Sequence, residues 1–216
     1  QLDDACAIIR ERPQYLRAME RTERRWGIPV HVQMATIYQE SKFVGNARTP
    51  HRYALGVIPM GRQSSAYGYS QALDGTWEEY QQSEGGRGTK RDSIADATDF
   101  MGWYMHNSSE RLGISKSDAE GQYLAYHEGR TGYANQSYLG KPWLVEVAAA
   151  VGARAVIFRA ASPLAGVASF DRSAGALPVW CNPRAAFRPN TRIIASSSRA
   201  AVIRPSVSAA SIRAMS

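Results

Sequence analysis

Glu40 is a candidate to move a proton. It stands in the stretch ATIYQESKFVGNA, residues 35–47, where an apolar helical pattern runs on towards a glycine. At about 100° per residue it lies roughly 60° from Ile37 and about 120° from the centre of the apolar face, on the rim of the buried stripe. A carboxyl shielded there resists ionisation, and such groups reach a pKa of about 6 against about 4.3 in water. That suits a general acid that protonates a leaving oxygen and then takes a proton back. Most helical glutamates are simply solvated, so position alone leaves both readings open and the companions of Glu40 must decide. Two other chemistries fail on spacing. The HEGRT at His127 begins like HExxH but lacks the second histidine, and His31, His51 and His106 are scattered, so neither a metal nor another cofactor is expected. No GxSxG occurs, and GYSQA, residues 68–72, lacks the second glycine of a nucleophile elbow.

The elements that must position Glu40 read as helices. Asp3 or Asp4 can cap a short helix through Arg12, which Pro13 breaks; a second runs over 14–25, and Gly27 and Pro29 separate it from a third over 30–42. In the third, Met34, Ile37, Tyr38 and Ser41 share one face, and Gly45 is the expected C-terminal cap. Residues 46–66 carry Pro50, Gly56, Pro59 and Gly61 without sustained periodicity, a length of connection that is usually functional or mobile. Asp74 or Thr76 is expected to cap the next helix, which ends before Gly85. Ser93 with Asp96, and Ser117 with Glu120, resemble capping boxes opening two more. Pro142 suits the first position of a last helix, whose face is Leu144, Val147, Ala148, Val151 and Ala155. Few segments alternate as strands do, so the body is expected to be all-α.

Three short motifs occur in order: QESKF at 39–43, GYSQA at 68–72 and AYHEG at 125–129. Together they resemble the lytic transglycosylases of the soluble-lytic-transglycosylase (SLT) domain type, over roughly residues 3–160. That resemblance implies a lysozyme-like helical domain with a cleft, close to goose-type lysozyme. In that family a Glu-Ser pair ends the catalytic helix, matched by Glu40 and Ser41. A Gly-Leu-Met-Gln segment follows, matched by Gly68 and Gln71 with Tyr69 and Ser70 changed. A later Ala-Tyr-Asn-x-Gly element is matched at Ala125, Tyr126 and Gly129, with His127 in place of Asn. The implied catalytic residue is Glu40. The implied substrate contacts are Ser41 as a hydrogen-bond donor, the turn at Gly68 and Tyr69, the amide of Gln71, the hydroxyl of Tyr126 on Glu40 or the sugar, and His127, with Tyr133 lining the cleft. Each has a plain alternative: a helix-end polar group, a core aromatic or an exposed side chain. Glu128 is left open between a second base, a partner for Arg130 and a solvated carboxylate. The implied reaction cuts the β-1,4 bond between N-acetylmuramic acid and N-acetylglucosamine in peptidoglycan strands and leaves 1,6-anhydromuramyl ends. A muramidase using water, or a glycan-binding relative without turnover, are the alternatives.

Charge separates two parts of the chain. Residues 1–162 hold 19 Lys and Arg against 18 Asp and Glu, whereas residues 163–216 hold seven Arg against Asp171 alone. All but one unit of the formal charge of +7 therefore belongs to the end of the chain, and a nearly neutral body argues against nucleic acid as a partner. The final 54 residues contain 12 Ala and nine Ser with no Lys or Glu, a composition expected to be a disordered tail beside a catalytic domain of residues 1–162. Cys6 and Cys181 are the only cysteines, able to pair in an oxidising compartment or to be two unrelated thiols. The chain starts at Gln1, so an export signal or membrane anchor would precede it. The resemblance implies an exported protein of the envelope, in the periplasm or at the outer membrane. Nothing in the sequence fixes an oligomeric state.

Overall fold

The computed structural model describes residues 4–54, 58–62 and 64–160. Seven α-helices appear among them: α1 (Ala5–Glu11), α2 (Pro13–Trp26), α3 (Val30–Ser41), α4 (Asp74–Tyr80), α5 (Ile94–Leu112), α6 (Ala119–Ala134) and α7 (Pro142–Ala160). The fold is helical, as its periodicity implies. The long connection after α3 adds one small antiparallel hairpin, β1 (His51–Ala54) and β2 (Ile58–Arg62), with His51 opposite Arg62. The expectations for residues 163–216, and for Cys181 as a partner of Cys6, lie outside the described residues.

Prolines and glycines set several boundaries. Asp4 caps α1, its Oδ1 accepting from the amides of Cys6 at 2.8 Å and Ala7 at 3.1 Å. Pro13 opens α2 and Gly27, at φ 77°, ends it. Pro142 opens α7. Three caps differ from expectation. Lys42 and Phe43, not Gly45, carry the left-handed turn that ends α3, at φ 51° and 60°. Gly45 instead leaves room for Tyr69, whose ring would lie 2.8 Å from an added Cβ. Leu73 precedes α4 without a side-chain cap, and Asp74 sits in its first turn. Asp118 rather than Ser117 caps α6, accepting from the amide of Gly121 at 3.0 Å.

The central helix is α3. Its expected single apolar face is too narrow a description, because residues 32–37 are all buried. Helices α2, α5, α6 and α7 all pack against it, so both apolar and polar side chains are enclosed. Gln33 and Thr36, each with no exposed surface, are accommodated by backbone acceptors. The Gln33 amide donates to the carbonyls of Met19 at 3.0 Å and Ile28 at 2.7 Å, and the Thr36 hydroxyl to that of Val32 at 2.9 Å. A helix packed on every side cannot roll or slide cheaply, so its last turn is a rigid mount. A second cluster of Trp77, Tyr80, Phe100, Trp103 and Tyr104 joins α4 to α5 and abuts Tyr126 of α6.

Candidate active site

Glu40 lies in the last turn of α3, half-buried, where the helix leaves the core. Burial pushes its carboxyl up to about 7, against the opposing pull of a hydrogen bond from the Tyr123 hydroxyl and the nearby charge of Lys42. Lys42 is held by its own backbone turn and by the ring of Tyr38, 3.8 Å from its ammonium. The acid is therefore poised to be protonated or ionised near neutrality, with an uncharged hydroxyl as its hydrogen-bond partner.

Helix α6 faces this acid. Tyr123, 5 % exposed, is raised by burial first and then by the Glu40 charge. Tyr126, one turn on, feels the Glu40 charge, but its hydroxyl donates to the Ser70 carbonyl at 2.7 Å. Burial, first, and the Glu40 charge raise both phenols. The Tyr126 ring is braced edge-on by Tyr104, with centroids 5.2 Å apart. Both Tyr123 and Tyr126 thus feel the acid, and the motifs did not single out Tyr123. A spacing of three residues from Tyr126 put it on the same helix face and was the available signal.

The turn at Gly68 is brought against that face. Gly68 adopts φ +83°, and an added Cβ would stand 2.1 Å from the Arg91 carbonyl, so this position requires glycine. Its amide donates to Ala47 at 2.9 Å. The Gln71 amide nitrogen donates to Gly68 at 2.8 Å and to Ala47 at 3.0 Å, which closes the turn and leaves the amide oxygen as the group able to accept from a ligand. Ser70 is fully buried and its hydroxyl has no partner among the described residues. Tyr69 turns away to α2, where its hydroxyl lies 2.9 Å from that of Tyr15 and burial, with Tyr15, raises it to about 12. Ser41 is buried and donates back to the Ile37 carbonyl at 3.3 Å.

The remaining candidates stand further along α6. His127 is exposed, its Nδ1 3.3 Å from Glu128 and its ring edge-on to the exposed Trp143 at 5.3 Å. Gly129 breaks the helix at φ 75° and ψ 161°, and Tyr133 beyond it packs on Tyr138 at 5.4 Å. Glu128 settles its open alternatives in an unanticipated way. Its partner is Lys141, at 2.8 and 3.0 Å, while Arg130 lies over the Tyr104 ring at 4.3 Å. Hydrogen bonds from Lys141 and then Ser137 hold the Glu128 carboxyl down at about 2.

A groove of about 740 Å³ lies on the flank of the Gly68 turn, lined by Arg48, Tyr67, Trp77, Gln81 and Arg91 among others. It does not include Glu40, and its Arg91 is already paired with Asp74 at 2.7 Å. The shielded acid and this open groove are therefore separate features of the surface. Among the described residues no three His, Cys, Asp or Glu side chains gather as metal ligands, and no helix is long and apolar enough to cross a membrane. Neither a curated protein nor a solved structure matches the chain. A family model described as "Transglycosylase SLT domain" matches residues 1–162.

Proposed function

Because the chain belongs to the transglycosylase SLT domain family, we propose that it cleaves peptidoglycan by a lytic transglycosylase reaction in which Glu40 serves as both acid and base. The observation that carries this reading is a carboxyl raised to about 7 at the end of an enclosed helix. Protonated Glu40 gives its proton to the oxygen bridging N-acetylmuramic acid and N-acetylglucosamine as the C1–O bond breaks. The substrate's own N-acetyl carbonyl supports the positive charge developing at C1. The Glu40 carboxylate then takes the proton of the muramyl C6 hydroxyl, whose oxygen closes on C1 as a 1,6-anhydro ring. Glu40 ends as it began, and no water is consumed. Tyr126 supports the site by holding the Gly68 turn against α6, and Gln71 by closing that turn onto Ala47. Ser41, Gly68, Tyr69, His127 and Tyr133 complete the proposed contact set, with Tyr69 acting through its packing under the turn. Such an enzyme works in the cell envelope, in the periplasm or at the outer membrane, on glycan strands.

The hydrolytic alternative needs a base for water besides the acid. Glu128, the carboxylate within the third motif on the facing helix, is held at about 2 by its partners and is a weak base. That favours the one-carboxylate route.

The sign of the pH dependence follows from the first step, which needs Glu40 protonated. Wall lysis should be highest in mildly acidic solution and fall through a limb centred near 7. Rates on purified sacculi between pH 4 and 8 test this, and a flat profile would remove Glu40 from the first step.

A further inference from the structure

The turn that follows Glu40 and the Gly68 turn are joined through side chains at the start of α2. Just past Glu40, Lys42 and Phe43 both take left-handed backbone, at φ 51° and 60°. Neighbouring non-glycine residues in that region persist only where their surroundings hold them. Local bonds hold part of this turn. The Lys42 amide donates to the Tyr38 carbonyl at 3.1 Å, and the Val44 amide to that of Ser41 at 2.9 Å. Contacts from α2 hold it further. Arg12 Nη1 donates to the Phe43 carbonyl at 3.2 Å, 31 residues on in the sequence, and to the Tyr15 hydroxyl at 2.9 Å. The buried Phe43 ring stacks on that of Tyr15, with centroids 5.8 Å apart.

Tyr15 carries the link on to the second turn. Its hydroxyl lies 2.9 Å from that of Tyr69, and the two rings meet edge-on at 5.7 Å. Tyr69 is fixed at its other end, where its amide donates to the Arg91 carbonyl at 3.2 Å. Gly45 completes the fit, since an added Cβ there would stand 2.8 Å from the Tyr69 ring. The same stretch of chain is gripped again at Ala47. Its carbonyl accepts from the Gly68 amide at 2.9 Å and from the Gln71 side chain at 3.0 Å. Phenylalanine at both tyrosine positions would serve packing alone. The hydroxyls are what make the bonds to Arg12 and to each other.

We infer that Arg12, Tyr15 and Tyr69 are positioning residues, a hydrogen-bonded clasp that sets the spacing between the turn after Glu40 and the Gly68 turn. This rests on the reading of Glu40 as the acid. The clasp acts through backbone, because Phe43 lies three residues after Glu40 and Tyr69 two before Gln71. Spacing matters at this scale, since a misplacement of about 1 Å in a catalytic constellation costs on the order of 100-fold in rate. The enclosed body of α3 fixes where the helix lies, and the clasp fixes how it ends. The Tyr69 hydroxyl is thereby spent inside the fold, on Tyr15, rather than on a sugar.

The test uses the full chain acting on solubilised glycan strands. Tyr69→Phe removes the bond between the two hydroxyls, and Tyr15→Phe removes that bond and the one from Arg12. Well below the melting temperature, each should lower kcat by about fivefold with KM little changed. The double variant should lose no more than Tyr15→Phe alone, because both changes break the same bond. Arg12→Ala should lose as much, and Arg12→Lys should recover part of it by restoring a donor. Amide hydrogen exchange reads the link without turnover. Tyr69→Phe, made in the Gly68 turn, should speed exchange at the Val44 amide in the other turn. An unchanged kcat beside a lower melting temperature would make the three residues ordinary packing and overturn the inference. Faster exchange confined to the turn that carries the substitution would overturn it too. Should Tyr15→Phe, at a buried residue, not fold, Arg12→Ala, at an exposed one, gives the same two readouts. If Glu40→Gln keeps full lysis, the reading of the acid fails, while exchange still decides whether the two turns are clasped.

Discussion

Glu40 and Glu128 ionise at opposite ends of the carboxylate range, the first deep in the fold and the second covered by its partners near the surface. Glu128 exposes only 4 % of its side chain but sits at about 2, because Lys141 and Ser137 bring hydrogen-bonding protons and one brings a full charge. Glu40 sits at about 7, because burial outweighs the opposing effects of the Tyr123 hydroxyl and the Lys42 charge. Depth raises the one and bonded partners lower the other: a cation bonded near the surface fixes a carboxylate, whereas burial leaves the proton of Glu40 negotiable. In this fold the negotiable carboxyl is mounted on the most enclosed helix, and the fixed one staples the break at Gly129 to the start of α7.

The sharpest way to break this contrast is to neutralise each carboxylate in turn. Glu40→Gln should lower wall lysis by on the order of 10²–10⁴ while circular dichroism stays native, whereas Glu128→Gln should keep lysis within about threefold. Equal losses from both would mean that two carboxylates work together. The next effect is on stability, and the two acids have opposite signs. Glu40 has a native value above its ordinary 4.5, so the folded state holds its proton more tightly, and stability falls as pH rises from 4.5 through about 7. Glu40→Gln escapes that loss. It should gain on the order of 2 kcal/mol relative to the parent between pH 4.5 and pH 8 in denaturant titrations.

Glu128 has a native value below 4.5, so its contribution is present above pH 4.5 and disappears as pH falls towards 2. Lys141 is 44 % exposed, which screens the pair, so Lys141→Ala should cost only about 1 kcal/mol at pH 7. The same substitution should raise the Glu128 midpoint towards its ordinary range without restoring or removing lysis. A large loss of activity there would move Glu128 from staple to site.

How far this contrast could be read beforehand depends on the range of each interaction. Glu40 was legible because a helical period and a following turn are local, and its rim position needs only the 3.6-residue repeat. Pro13, Gly27 and Pro142 were legible for the same reason, since each acts on its own backbone. The cap of α3 was not. Lys42 takes a left-handed conformation that a local reading assigns to Gly45, and Gly45 is required instead by the ring of Tyr69, 24 residues away. The single face expected for α3 also failed for a non-local reason, since four helices enclose it. Tyr123 and Tyr126 share a face in sequence, but that the Tyr126 hydroxyl is spent on the Ser70 carbonyl depends on where the Gly68 turn is held against α6. Glu128 was ambiguous because its partner lies 13 residues on, past a helix break that only the folded backbone reveals.

The central claim is that one carboxyl gives a proton to the bridging oxygen and recovers another from the same sugar. Digestion of purified peptidoglycan in oxygen-18 water, followed by mass spectrometry of the released muropeptides, tests it most directly. The account predicts 1,6-anhydromuramyl ends carrying no heavy oxygen, formed by the parent protein and not by Glu40→Gln. Reducing ends one water heavier and labelled with oxygen-18 would contradict it.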